Sequence, residues 1–144
     1  MKALIPHFIH QQVIARRWHG SITGYAMFVD LSGFTALTDS LMSKGSSGAE
    51  ALSKLLNHIF GPLVKAVYSR GGLIPYFAGD AFLAIFPENQ PGENALDAAA
   101  FAVEFFSRHH STFGGFAIGL KIGLSYGAIE WGIAGHRYLS LIHI

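Results

Sequence analysis

The chain contains no cysteine, and only 13% of its 144 residues are charged. The missing thiols exclude disulfide bonds and cysteine-ligated zinc, and they are compatible with a reducing compartment. Ten basic and nine acidic residues give a formal net charge of +1, with neither a basic stripe nor an acidic tail. We therefore expect no nucleic-acid partner and no attraction to an anionic membrane surface.

Long apolar runs are also missing, although 51% of the residues are hydrophobic. The first residues lack the unbroken apolar segment of a secretory signal, and no stretch reaches the roughly 18 apolar residues of a spanning helix. We expect one cytoplasmic domain without a membrane span, whose apolar side chains form a core or a partner surface. Seventeen glycines are too many for a helical bundle and favour a mixed chain with tight turns.

The apolar spacing predicts a lead-in over residues 1–23 and then the element order β-α-α-β-β-α-β-β. This order is typical of an α+β, ferredoxin-like βαββαβ sandwich, with the helices on one face of an antiparallel sheet. The predicted elements are strand 25–31, helix 34–42, helix 49–70, hairpin strands 73–77 and 81–86, helix 93–110, and strands 120–126 and 129–133.

Two details of the predicted helices can be tested against a structure. Pro62 should bend the long helix or break its hydrogen-bond ladder locally. The spacing of the last helix predicts that five of its residues point inward. They are Leu96, Ala99, Ala100, Val103 and Phe106.

Two carboxylates lie where an unpaired charge is costly. Asp30 ends a buried strand and Asp80 lies at the tip of the predicted hairpin, so each needs positive compensation. Neighbouring strands are about 4.8 Å apart, which allows two such strand ends to bring both carboxylates to one ion. Mg²⁺ prefers one or two carboxylates together with phosphate oxygens and water. The alternative is that Asp30 caps a helix and that Asp80 serves only the turn.

The residues after Asp30 favour phosphate binding. Ser32-Gly33-Phe34-Thr35 leads directly into a helix, where free N–H groups and the helix dipole attract anions. Gly33 would let the backbone approach a phosphate closely, since it has no side chain.

These segments together resemble a known family. Residues 28–35 (FVDLSGFT) and 77–82 (FAGDAF) are similar to the two metal-binding motifs of class III adenylyl and guanylyl cyclases. The resemblance continues in residues 48–50, 55–57, 121–124 and Gly127, and covers residues 24–138. It is greatest to the first of two tandem cyclase domains in soluble-adenylyl-cyclase-like proteins.

The resemblance implies a two-metal reaction that converts ATP, or GTP, to a cyclic nucleotide and pyrophosphate. Asp30 and Asp80 would hold two Mg²⁺ or Mn²⁺ ions, with the backbone carbonyl of Leu31 as a further ligand. Residues 33–35 (Gly33, Phe34 and Thr35) would hold the β- and γ-phosphates. The catalytic residues would therefore be Asp30 and Asp80, and no side chain would act as a nucleophile.

The chain departs from the family pattern at Tyr76. Many members carry a lysine at this position, four residues before the second aspartate, and that lysine reads adenine. A homodimer would lack the lysine in both sites, whereas in a tandem pair a second cyclase domain supplies the residues that read the base. Tyr76 therefore favours the tandem arrangement over the homodimer, and the second domain would also supply an Asn and an Arg that stabilise the transition state.

The last six residues, 139–144, read LSLIHI. They translate codon for codon from CTG TCT CTT ATA CAC ATC, the transposase end used to prepare sequencing libraries. We expect them to be adapter read-through, with the cyclase domain incomplete at its C-terminus; the alternative is a natural apolar strand.

Two other functions stay open at this point. The first is a non-catalytic, cyclase-like module that binds nucleotide and regulates its neighbour, although such a module has no need for both aspartates. The second is a phosphoacceptor receiver domain, which also has an aspartate at a strand end. The predicted antiparallel hairpin disfavours a receiver, because receivers have parallel sheets.

Overall fold

The computed structural model describes residues 7–109, 117–134 and 141–143, and it has an α+β fold. Its five-stranded sheet has the order β2-β3-β1-β4-β5, and every neighbouring pair of strands is antiparallel. This confirms the predicted fold class. The elements are α1 His7–Ile14, β1 His19–Ser32, α2 Phe34–Met42, α3 Ser46–Ser69, β2 Leu73–Ala78, β3 Ala81–Pro87, α4 Glu93–His109, β4 Gly119–Ala134 and β5 Leu141–His143.

The main core lies between the sheet and helices α2, α3 and α4. From β1 it takes Met27, Val29 and Leu31, which alternate along the strand as expected for one face of a pleated sheet. The buried residues of α3 include Ile59 and Leu63, as the helical spacing predicts. The helix continues through Pro62 to Ser69, and the bend or local break expected at this residue stays a prediction.

A helix that the sequence did not predict covers part of the opposite sheet face. The sequence predicts a lead-in without a helix, but α1 packs against the sheet through Phe8. The ring of Phe8 meets Trp131 edge to face at 5.3 Å, and Ile9 is buried. Helix α1 has only eight residues, so its periodicity was too short to read, and tertiary packing stabilises it.

The sequence predicts two strands, 120–126 and 129–133, separated at Gly127 and Ala128. This prediction is wrong. Strand β4 runs unbroken through this residue, and Gly127 lies directly opposite Gly24 of β1. A glycine weakens an isolated strand, but here the ladder of β1–β4 hydrogen bonds continues on both sides of it. The second strand of this region is β5, which pairs with the end of β4 and lies within residues 139–144. The origin of those six residues stays a prediction.

The predicted inward face of α4 is also largely wrong. Leu96 and Val103 are 55% and 58% exposed, and Ala100 is exposed as well. The helix instead packs three alanines and Phe106 against the core. Small side chains allow the helix axis to approach the sheet closely, a choice that hydrophobicity ranking does not reveal. In the part of the chain described, no helix combines the length and apolarity needed to cross a membrane.

Two leucine substitutions test this packing. Leu63→Ala should lower the free energy of unfolding by about 2–5 kcal/mol, because the side chain is 2% exposed in the main core. Leu96→Ala makes the same chemical change at an exposed helical site and should cost less than about 1 kcal/mol. Urea unfolding followed by circular dichroism measures both, and equal losses would contradict the orientation of α4.

Candidate active site at the carboxyl end of β1

The pairing of β1 with β3 brings the two predicted aspartates together. In this register Asp30 lies directly opposite Ala81, the residue after Asp80. The backbone N–H of Leu31 donates a hydrogen bond to the carbonyl oxygen of Asp80, at 3.2 Å. Residues that are fifty positions apart in sequence are therefore neighbours across one strand pair.

Asp80 lies in a two-residue turn that joins β2 to β3, as the sequence predicts. Gly79 is the first residue of the turn and has a φ of +62°, in the left-handed region that glycine adopts without strain. The strand pairing extends to Ala78 and Ala81, the residues that flank the turn. The tight hairpin therefore holds Asp80 at the end of the sheet where β1 ends.

Asp30 belongs to the sheet face opposite the main core. Its neighbours Val29 and Leu31 are buried in that core, and alternation along the strand places Asp30 on the other side. Asp30 and Asp80 are both partly exposed. Within the described residues the ion pairs are Lys54–Glu50 and Arg108–Glu104, so neither aspartate takes part in one. Both carboxylates are thus accessible from solvent and have no ion-pair partner in the described part of the chain.

Helix α2 begins immediately after β1, at the predicted phosphate site. Its N-cap residue is Gly33, with a φ of +81°, and no side chain caps the helix. The alternative in which Asp30 is the helix cap is therefore wrong. Phe34 is half-buried against the main core and Thr35 is exposed. An uncapped helix start leaves backbone N–H groups that can donate to an anion.

The donors gathered here fit a magnesium-like cation. Two carboxylates and the nearby Leu31 backbone provide hard oxygen ligands, which suit Mg²⁺ or Mn²⁺ when phosphate and water complete the shell. No cluster of three or more His, Cys, Asp or Glu residues exists among the described residues. A site at this position would thus need oxygen ligands from a bound nucleotide.

The strand register adds Lys121, which the sequence did not assign to the site, and it relates Asp30 to Tyr76, the residue that departs from the family pattern. Lys121 of β4 lies directly opposite Asp30 on the other side of β1, and its side chain is exposed. Tyr76 pairs with Leu83, which in turn pairs with Phe28. Residues that pair directly share a face, so Tyr76, Leu83 and Phe28 form a partly exposed apolar surface on the same face as Asp30. Only the strand register reveals these two relations.

Sequence comparison places the chain beside mammalian cyclases. It is 36% identical over 121 residues to adenylate cyclase type 10 of Oryctolagus cuniculus and of Homo sapiens, and 34% identical over 118 residues to that of Rattus norvegicus. Each match covers 78% of this chain and 7% of the relative, so the chain spans a small part of these proteins. No model of a protein family matches the chain.

Solved structures with the same fold are also cyclases. The adenylyl cyclase CyaB from P. aeruginosa has a TM-score of 0.70 at 21% identity, covering 87% of this chain and 66% of that one. A bacterial light-regulated adenylyl cyclase has a TM-score of 0.73 at 22% identity, covering 96% of this chain and 42% of that one. The guanylyl cyclase Cya2 has a TM-score of 0.64 at 24% identity, covering 88% of this chain and 64% of that one. At these identities the likeness shows the fold.

The chain is similar in sequence to adenylate cyclases, and it has the fold of the class III nucleotidyl cyclases. The sequence identity shows the likeness to cyclases, and the solved structures show the shared fold. The cyclase-like segment has the arrangement described above: two aspartates at one strand end and an uncapped helix start beside them. The receiver-domain alternative is wrong, since every strand pair in the described sheet is antiparallel.

A pair of glycine substitutions tests the turn between Asp30 and α2. A Cβ added at Gly33 would lie 2.4 Å from the carbonyl oxygen of Ala117, whereas one added at Gly79 would meet no atom within 4 Å. Both glycines have positive φ, so the backbone strain is shared. Gly33→Ala should therefore lower the free energy of unfolding by at least about 1 kcal/mol more than Gly79→Ala. Equal urea midpoints for the two variants would contradict the close approach.

Proposed function

We propose that this chain supplies the metal-binding half of an adenylyl cyclase active site, which converts ATP to cyclic AMP and pyrophosphate. The observation that carries the proposal is the adjacency of Asp30 and Asp80, linked through the hydrogen bond from Leu31 to the Asp80 carbonyl. The names of the sequence relatives favour ATP over GTP. ATP is an intracellular substrate, so the proposal includes the cytoplasmic location predicted from the sequence.

Each candidate residue has a distinct role in this proposal. The carboxylates of Asp30 and Asp80 would hold two Mg²⁺ or Mn²⁺ ions, and the carbonyl of Leu31 would be a further ligand. The backbone from Gly33 to Thr35 would hold the β- and γ-phosphates, supported by the left-handed Gly33 and the uncapped start of α2. The exposed Lys121 beside Asp30 would add positive charge near the same phosphates.

The reaction is an intramolecular displacement at phosphorus. The ribose 3′-oxygen forms a bond to the α-phosphorus, its proton passes to solvent water, and the bond from that phosphorus to pyrophosphate breaks, with its electron pair leaving on pyrophosphate. Bound divalent ions would activate the hydroxyl and neutralise charge on the phosphates. The contribution of this chain is to fix the triphosphate at the strand end and to hold the carboxylates in place, which is catalysis by positioning and electrostatics.

A second cyclase domain would complete the site against the open sheet face. Phe28 and Tyr76 are 45% and 40% exposed on the face that carries Asp30, so a partner would bury apolar surface beside the carboxylates. Tyr76 replaces the family's adenine-reading lysine, so the base would be read by the partner. The same geometry suits a tandem domain or a dimer, and Tyr76 favours the tandem domain.

Loss of one carboxylate should weaken metal binding. Asp30→Asn should reduce the affinity of the chain for Mn²⁺, measured by electron paramagnetic resonance in the presence of a non-hydrolysable ATP analogue, by at least about tenfold. Asp39→Asn removes the same charge from an exposed position on α2 and should leave the affinity unchanged. Equal affinities for wild type and Asp30→Asn would contradict the assigned role of Asp30.

The chain alone should show no steady production of cyclic AMP from Mn²⁺ and ATP. A missing transition-state group typically costs ~10²-fold or more in rate, and the partner domain would supply more than one such group. In the longer protein, Asp30→Ala should abolish turnover and Asp39→Asn should not. A linear time course from the purified chain would contradict the need for a partner. A protein that binds nucleotide and stays inactive with its partner domain would favour the regulatory module.

A further inference from the structure

A second candidate site lies away from the aspartates. Its cleft has a volume of about 220 Å³ and lies near Tyr25, in the middle of β1, where β3 ends at Pro87. Tyr25 precedes Asp30 by five residues, or about 16 Å of strand, and it faces the opposite side of the sheet. The cleft is lined by Tyr25, Phe86, Pro87, Glu88, Gln90, Pro91, Gly92 and Tyr126.

Two tyrosine rings form one wall of the cleft. Tyr25 and Tyr126 pair directly across β1 and β4, and their ring centroids are 4.8 Å apart with an interplanar angle of 54°. Tyr126 is 52% exposed, so part of its ring is open to solvent. Phe86, which is buried, pairs directly with Tyr25 across β1 and β3. The wall therefore presents an aromatic surface that a ligand can reach.

A carboxylate is held beside these rings. The hydroxyl of Tyr126 donates a hydrogen bond to Oε1 of Glu88 at 2.7 Å. The backbone N–H of Glu88 donates to the carbonyl oxygen of Thr23 at 2.8 Å, which ties the loop to β1. The backbone and the carboxylate of Glu88 are thus both held in place before any ligand binds, which reduces the entropy lost on binding.

The cleft has negative character. The hydrogen bond from Tyr126 to Glu88, with smaller contributions from desolvation and from the charge of Glu88, raises the pKa of Tyr126 above its ordinary value of 10.0. No lysine, arginine or histidine is among the lining residues, all of which belong to the described part of the chain. Glu88 is consequently a carboxylate whose partner in the cleft is a neutral phenol.

We propose that this cleft binds an organic cation, an ammonium or guanidinium group. The exposed aromatic faces would attract the cation through their quadrupoles, and Glu88 would form a charge-assisted hydrogen bond to it. A volume of about 220 Å³ is below the range of sites for drug-sized ligands, so it suits a cationic head group and not a nucleotide. The cation belongs either to a free amine or to a basic side chain of a partner protein.

The first experiment titrates ethylguanidinium chloride into the isotopically labelled 144-residue chain at constant ionic strength, following the backbone amide signals of Glu88 and Tyr126. Ethylguanidinium should bind at least about fivefold more tightly than the neutral isostere N-ethylurea, given the usual strength of cation–π contacts and exposed ion pairs. Equal binding of the two probes would overturn the proposal, because charge would then have no role.

Three variants locate the binding. Glu88→Gln keeps an acceptor for the Tyr126 hydroxyl but removes the charge, and it should weaken ethylguanidinium binding about fivefold. Tyr126→Leu removes the ring and should weaken it similarly. Glu130→Gln removes a carboxylate from an exposed position on β4 outside the cleft, so binding should be unchanged. Unchanged binding in Glu88→Gln, or the same loss in Glu130→Gln, would overturn the proposal.

The second experiment distinguishes the two sources of the cation. The peptide acetyl-Gly-Arg-Gly-amide is compared with its citrulline counterpart, which has the same shape without the charge. Peptide binding at least about tenfold tighter than that of ethylguanidinium indicates a protein side chain; equal affinity indicates a free amine. Failure of the arginine peptide and of ethylguanidinium to bind would overturn the proposal and would leave the cyclase proposal untouched, since that is tested at Asp30.

Discussion

The hydrogen-bonded register between β1 and β3 is the constraint on which the candidate active site depends. It places Asp30 opposite Ala81 and allows the N–H of Leu31 to reach the Asp80 carbonyl. A slip of one residue would turn Asp30 toward the main core, where an unpaired carboxylate is costly. The register in turn depends on burial, because Val29 and Leu31 on one strand and Phe82 on the other must face the same helices.

The two faces of this sheet are covered to different extents. One face is filled by the side chains beneath α2, α3 and α4, and α1 covers only part of the other near Trp131. The uncovered part carries Asp30 together with Phe28 and Tyr76, which is the composition expected where a polar reaction centre meets a protein partner. The relation to class III cyclases and the proposed second domain both agree with this division.

Glu88, which follows the end of β3, has different neighbours from the two aspartates. Glu88 has an aromatic wall and a phenol donor, whereas Asp30 and Asp80 lie beside an uncapped helix start and near Lys121. Aromatic faces favour an organic cation, while backbone N–H groups and lysine favour metal-bound phosphate. The ligand proposed for each site follows from the neighbours of the carboxylate, not from the carboxylate itself.

The sequence by itself determined the fold class, the hairpin that carries Asp80 and the helix after Gly33, because alternating or helical spacing and glycine turns are local signals. It did not determine which side of α4 is buried, that β4 continues through Gly127, or that α1 exists. Those features depend on how closely two elements approach and on which strands pair. The sequence predicted that Asp30 and Asp80 meet, but the position of Lys121 opposite Asp30 and the meeting of Glu88 with Tyr126 were decided by tertiary structure. Strand register joins residues that are distant in sequence, and no local pattern records it.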